Sequence, residues 1–202
     1  MRRELQHFTI GSSYGGNQNW FRTLMMRMGG CGAETACDSC LYFALHRGLK
    51  ELYPFDSDRL TKEDYVAFAH RMERYLWPRM TGIDRLDIYM DGLAGYLRDC
   101  GEKRLTMSAL DGGEPYERAA RTVREQIDAG YPVPMLLLNH RDRAFKDYNW
   151  HWFLLNGYDA PEGAEDMSVR AVTYSAWRWL DLQRLWDAGF ERRGGLILYA
   201  LS

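Results

Sequence analysis

Apolar residues Ala36, Cys37, Cys40, Leu41, Ala44 and Leu45 recur at spacings of three and four, which predicts a helix buried on one face from residue 33 to near Gly48. A second helix is predicted over about 62–77, with Thr61 as N-cap ahead of Asp64 and Pro78 as the stop. A third runs over about 86–100 and ends at Gly101; a fourth runs over about 115–129 and is broken by Gly130. Only short strands are expected before residue 130, at 8–10 and 105–107, the first followed by a glycine-rich loop over 11–17.

Beyond Gly130 the pattern changes. The apolar or aromatic runs at 133–138, 151–157, 169–175 and 196–201 are separated by polar loops and read as an antiparallel sheet, interrupted by one short helix at about 180–188. With no internal repeat or flexible linker, the expected fold class is α+β in one domain. A mainly helical lobe (1–130) packs against a mainly sheet lobe (131–202), leaving a cleft between them.

Composition narrows the function. The 202 residues, 46% hydrophobic and 27% charged, suffice for a real core without metals or crosslinks. Net charge is −2 with scattered basic residues, so the footprint of a nucleic-acid binder is missing. No apolar run is long enough to cross a bilayer and the first residues lead into no export signal, so no membrane partner and a cytoplasmic location are expected. Cys31, Cys37, Cys40 and Cys100 then read as reduced thiols.

Cys31 stands between Gly30 and Gly32 at the start of the first strong helix, where unpaired N–H groups and the helix dipole favour a thiolate. The same N–H groups suit the oxyanion of a tetrahedral intermediate, and glycines on either side would let a substrate carbonyl approach the backbone. Cys37 and Cys40 fall on the apolar face of that helix with no second Cys/His pair at zinc-ligand spacing, so both read as core, and no metal or cofactor is expected.

Of five histidines, His7 sits near the terminus and His46, His70 and His140 lie in helix or loop contexts. His151 opens a strand, a rigid mount for a base beside a thiol. Trp150, Trp152, Tyr158, Trp177 and Trp179 either wall an aromatic groove or pack the sheet core.

Gly-Gly-Cys-Gly-Ala at 29–33, paired with Asn-Trp-His-Trp-Phe-Leu-Leu-Asn-Gly-Tyr-Asp at 149–159, resembles the papain-like cysteine peptidases. The likeness is nearest to compact bacterial members similar to the bacteriocin-leader-processing peptidases. It implies a papain-like fold with Cys31 as nucleophile and His151 as general base. By the same resemblance Gln18 would help form the oxyanion hole, although thirteen positions before the cysteine is a longer spacing than the family's. The residue orienting the imidazole falls, by counting back from Trp177, on Ser175, where the family has Asn; Asp181 and Asp159 are the other candidates. The implied activity is a cysteine peptidase or amidase acting on a peptide or amide substrate. A non-catalytic peptide-binding protein on the same fold and a transglutaminase-like acyltransferase are the alternatives.

Overall fold

The computed structural model describes residues 1–79, 82–161 and 166–202. The chain opens with strand β1 (Arg2–Glu4) and the small hairpin β2 (Thr9–Ile10) and β3 (Ser13–Tyr14). A 3-10 turn at Gln18–Trp20 leads to α1 (Leu24–Gly29), and Gly30 joins it directly to α2 (Cys31–His46). Then come α3 (Lys62–Met72), α4 (Leu86–Asp99), β4 (Leu105–Asp111), α5 (Tyr116–Asp128) and β5 (Val133–Leu137). A 3-10 segment, Arg143–Tyr148, precedes β6 (His151–Asp159), β7 (Ser168–Thr173), β8 (Ala176–Asp181), α6 (Leu182–Trp186) and β9 (Gly195–Leu201).

Seven strands form one antiparallel sheet in the order β4-β9-β5-β6-β7-β8, with β1 also paired to β6. The mixed α and β content and the antiparallel sheet agree with the expected class. Segregation along the chain is weaker than the sequence suggests, because β1 and β4 come from the mainly helical stretch before residue 130. Arg170 explains how β1 is held: its buried guanidinium donates to Glu4, to the Leu5 carbonyl and, at 2.7 Å, to Asn156 Oδ1. In β5 every residue is buried, and in β6 all but Asp159, so these central strands are covered on both faces and show no polar alternation.

The helices follow their caps. Thr61 accepts the Asp64 N–H at 3.0 Å and starts α3, which ends at Met72, short of Pro78, in a run of turns. In α5, Ala119, Val123 and Ile127 recur at every fourth position and are fully buried. The largest departure is α2. Rather than burying one face, it is buried all round from Cys31 to Ala44, Glu34, Thr35, Asp38 and Ser39 included. It packs on β6, β5 and α3, so the cysteine stands at the head of the most enclosed helix in the molecule. Cys37 and Cys40 lie within the core, as their periodicity predicts.

β8 is not expected from the sequence pattern, and neither are β1, β3 and α1: Ala176–Asp181 extends as an edge strand, and the helix expected over about 180–188 shrinks to α6. Asp181 accepts the Arg184 N–H at 2.8 Å and sets that helix start. Among the described residues no helix is long and apolar enough to cross a membrane.

Candidate active site

Packing requires glycine at Gly30 and leaves little room for more at Gly32. A Cβ at Gly30 would lie 2.3 Å from the Met26 carbonyl oxygen that accepts the Gly30 N–H, and 3.0 Å from the Phe21 ring. One at Gly32 would lie 3.2 Å from Ile83 and 3.5 Å from Trp152. The α1–α2 junction therefore closes so tightly that the sulfur is fixed where the first turn of α2 meets β6.

The backbone of Trp152, and less strongly that of Gly32 and of Cys31 itself, favours the Cys31 thiolate. Burial outweighs this. Cys31 is 5% exposed, and loss of solvent, with the nearby Glu34 carboxyl adding to it, raises the thiol to about 11. The helix-terminus argument from sequence has the right sign for its own contribution but omits the larger desolvation cost. The thiol still reaches solvent through a cleft of about 510 Å³, lined also by Met25, Met28, Gly29, Arg79, Gly82 and Trp150.

Trp152, whose backbone favours the thiolate, immediately follows His151. The imidazole is buried and its Nε2 lies 2.7 Å from Thr173 Oγ1, while Nδ1 makes no hydrogen bond among the described residues. Desolvation lowers the imidazole from 6.5 to about 4. The Tyr174 ring stacks parallel on it at 4.9 Å and lies within electrostatic reach of Cys31, with burial the main cause of a phenol raised to about 12.

The side chain bonded to the imidazole is thus Thr173, two residues before the position counted from the sequence. Ser175 turns away: its hydroxyl donates to the Gly16 carbonyl at 3.2 Å and its N–H to the same oxygen at 2.8 Å. Asp181 is occupied capping α6, and Asp159 ends β6 in register with Arg2 and Ser168, at the opposite end of the strand from His151. Gln18 is buried against the start of the cysteine helix. Its Nε2 donates to the Arg27 carbonyl at 2.8 Å, which leaves its second amide hydrogen uncommitted and Oε1 buried without a partner.

Two acidic side chains on α2 align these pieces, and neither was expected from the sequence pattern. Glu34, one turn after Cys31, accepts the Gln18 N–H at 3.0 Å and the Tyr174 N–H at 3.3 Å. Asp38, a turn further on, accepts the Gly16 N–H at 3.1 Å and the Tyr65 hydroxyl at 2.6 Å. Burial, and then Asp38, push the Glu34 carboxyl up to about 8. The available signal was two acidic residues at a spacing of four inside an otherwise apolar, small-residue helix, a costly placement unless each accepts hydrogen bonds.

Backbone strain concentrates here as well. The non-glycine residues with positive φ among those described are Trp150 (53°), Tyr174 (51°) and Ser175 (62°). Each left-handed residue costs about 1–2 kcal/mol. Trp150 directly precedes His151; Tyr174 and Ser175 form the β7–β8 turn, which Glu34 and Gly16 hold in place. Of the aromatics singled out from sequence, Trp152 and Tyr158 are core, whereas Trp150 and Trp177 are exposed.

Comparison of the chain with models of known protein families finds no match, and comparison with curated proteins finds none either.

Proposed function

We propose that the protein is a papain-like cysteine hydrolase that acts on a peptide or amide through Cys31 and His151. One observation carries the reading: α2, headed by Cys31, packs on β6, which opens with His151 and whose Trp152 backbone favours the thiolate, while Thr173 occupies Nε2 and leaves Nδ1 unbonded. The resting pair is a neutral thiol and a neutral imidazole, since burial moves the two in opposite directions. A neutral imidazole is what a general base requires.

With the ring proton on Nε2, donated to Thr173 Oγ1, Nδ1 keeps its lone pair. As the sulfur attacks the carbonyl carbon, the thiol proton passes to Nδ1 and the carbonyl oxygen becomes an oxyanion, for which the Cys31 N–H and the free Gln18 amide hydrogen are the available donors. Collapse breaks the C–N bond, and His151 gives its proton to the departing amine. Water, deprotonated by the same imidazole, then cleaves the thioester and restores the thiol.

The test is alkylation by iodoacetamide from pH 5 to 9, with the label located by mass spectrometry, on the wild type and on His151→Ala. The expected result at pH 7.5 is labelling of Cys31 ahead of Cys37, Cys40 and Cys100, slowed about tenfold or more by the His151 change. Labelling of Cys31 no faster than Cys100 at every pH, and indifferent to His151→Ala, overturns the proposal.

A further inference from the structure

The loop from α6 to β9 closes on the loop that follows β5, where the Arg141 N–H donates to the Ala188 carbonyl at 3.0 Å. Between them lies a hollow of about 740 Å³, lined by Asn139, Arg141, Phe190, Glu191, Arg192 and Arg193. Its arginines are built in. Gly189 has a φ of 79°, and a Cβ there would lie 2.6 Å from Arg141 Cδ. The arginine stem thus fills space that only glycine leaves, and its guanidinium lies over the Phe190 ring at 5.3 Å. Arg193 donates from Nε to the Phe190 carbonyl at 2.9 Å and from Nη1 to the Gly112 carbonyl at 3.3 Å. Arg192 pairs with Asp84 at 2.6 Å and lies over the Trp150 ring at 5.6 Å.

Arginines elsewhere, such as Arg104, Arg118 and Arg184, answer carboxylates of the chain itself. Arg141 and Arg193 enter no ion pair among the described residues, and Glu191 is the single acidic side chain lining the hollow against three arginines. In a chain of net charge −2 this positive potential is local. Trp150 joins the hollow to the cleft at Cys31. It lines that cleft, donates from Nε1 to Asn139 Oδ1 at 2.9 Å, and carries Arg192 over its ring, so it stands between the two.

We infer that this hollow binds the carboxylates of an acidic polypeptide segment whose neighbouring residues lie in the cleft at Cys31. The link to the cleft makes that segment part of the substrate and rests on the reading of Cys31 and His151 as the reacting pair; the anion site itself does not. A guanidinium offers two parallel N–H donors to one carboxylate. Guanidiniums already held by a glycine, a ring or a backbone carbonyl lose little freedom on binding. The donors are spread over two loops, with the rings of Phe190 and Trp150 between them. Those rings offer apolar surface to the methylenes of a glutamate side chain, which a bare inorganic anion cannot use.

The probe is acetyl-triglutamate amide, with acetyl-triglutamine amide and inorganic phosphate as controls, titrated into ¹⁵N-labelled protein at pH 7.5. A dissociation constant on the order of 1 mM is expected at about 0.05 M salt, weakened about tenfold at about 0.5 M because the partners are exposed. Shifts should be confined to residues 139–141 and 189–194 and the Trp150 indole N–H. Arg141→Gln, which breaks no ion pair, should weaken binding about fivefold; Arg121→Gln, at an exposed position on α5, should leave it unchanged. No binding, shifts elsewhere, equal affinity for triglutamine or phosphate, or equal loss in the two variants overturns the anion site. Three leucines added to the amino end of one probe and to the carboxyl end of another test the link to the cleft. One of the two should bind at least about fivefold tighter and shift the Gly29 and Gly82 amides; failure of both removes the acidic segment from the substrate. None of these readouts needs catalysis. If alkylation shows an unactivated Cys31 while triglutamate binds as described, the hydrolase reading falls and the anion site stands. Activated Cys31 with no binding has the reverse meaning.

Discussion

Stability should depend on pH through His151 in a window fixed by its burial. The imidazole titrates at about 4 in the folded protein against 6.5 without that environment. Between those values the unfolded chain binds a proton that the folded one does not, so stability rises with pH from about 4 to 6.5 and is lost as pH falls through that window. The difference integrates to about 3 kcal/mol, a large share of the roughly 5–15 kcal/mol that holds a domain together. Glu34 works in the opposite direction: its carboxyl, raised to about 8, makes stability fall as pH climbs from 4.5. The two overlap, so the wild-type curve alone is uninformative, and comparison with His151→Gln isolates the imidazole. Urea unfolding followed by tryptophan fluorescence at half-unit steps from pH 4 to 7.5 is the assay. Whatever the offset at pH 7.5, the wild type should lose about 3 kcal/mol relative to the variant by pH 4. At a slope of about 2–3 kcal/mol per molar urea, that is a relative midpoint shift of about 1 M. Midpoints that run parallel across the whole range would mean the imidazole titrates normally and is solvated, and the argument from burial would be wrong.

Thr173→Val keeps the shape of the side chain but leaves His151 Nε2 buried without its 2.7 Å partner. A stability loss of about 1–3 kcal/mol is expected, together with alkylation of Cys31 slowed about tenfold; Thr173→Ser should retain both, and an unaffected Thr173→Val would remove Thr173 from the site. Glu34→Gln removes a carboxyl that is uncharged in the folded protein up to about pH 8 but ionised in the unfolded chain above 4.5. The variant should therefore gain on the wild type as pH rises from 5 to 9, by roughly 4–5 kcal/mol at full extent, as read by denaturation at the two pH values. A difference that does not change with pH refutes the buried-carboxyl assignment.

Local pattern carried most of the elements. Threonine at 61 caps α3, the four-residue repeat of Ala119, Val123 and Ile127 marks α5, and the apolar runs after Gly130 mark β5, β6, β7 and β9, because each depends on a period or a cap written within a few residues. Cys31 at a helix head and His151 at a strand start were legible for the same reason. What those two residues experience was not. Desolvation depends on everything packed around a group, so the raised thiol and the lowered imidazole follow only from the enclosure of α2 and β6. Thr173 was passed over in favour of Ser175 because a tight turn with two left-handed residues decides which hydroxyl points at the imidazole, and neither Tyr174 nor Ser175 is a residue that announces such a turn. The glycines flanking Cys31 also let Met26, Phe21, Ile83 and Trp152 pack against the helix head, a demand that no local pattern shows. The sequence by itself determined most of the helices and strands, though not β1, β3, α1 or β8; tertiary packing decided which distant polar groups meet, since partners such as Glu34 and Tyr174 lie 140 positions apart and only the closed core brings them within a hydrogen bond.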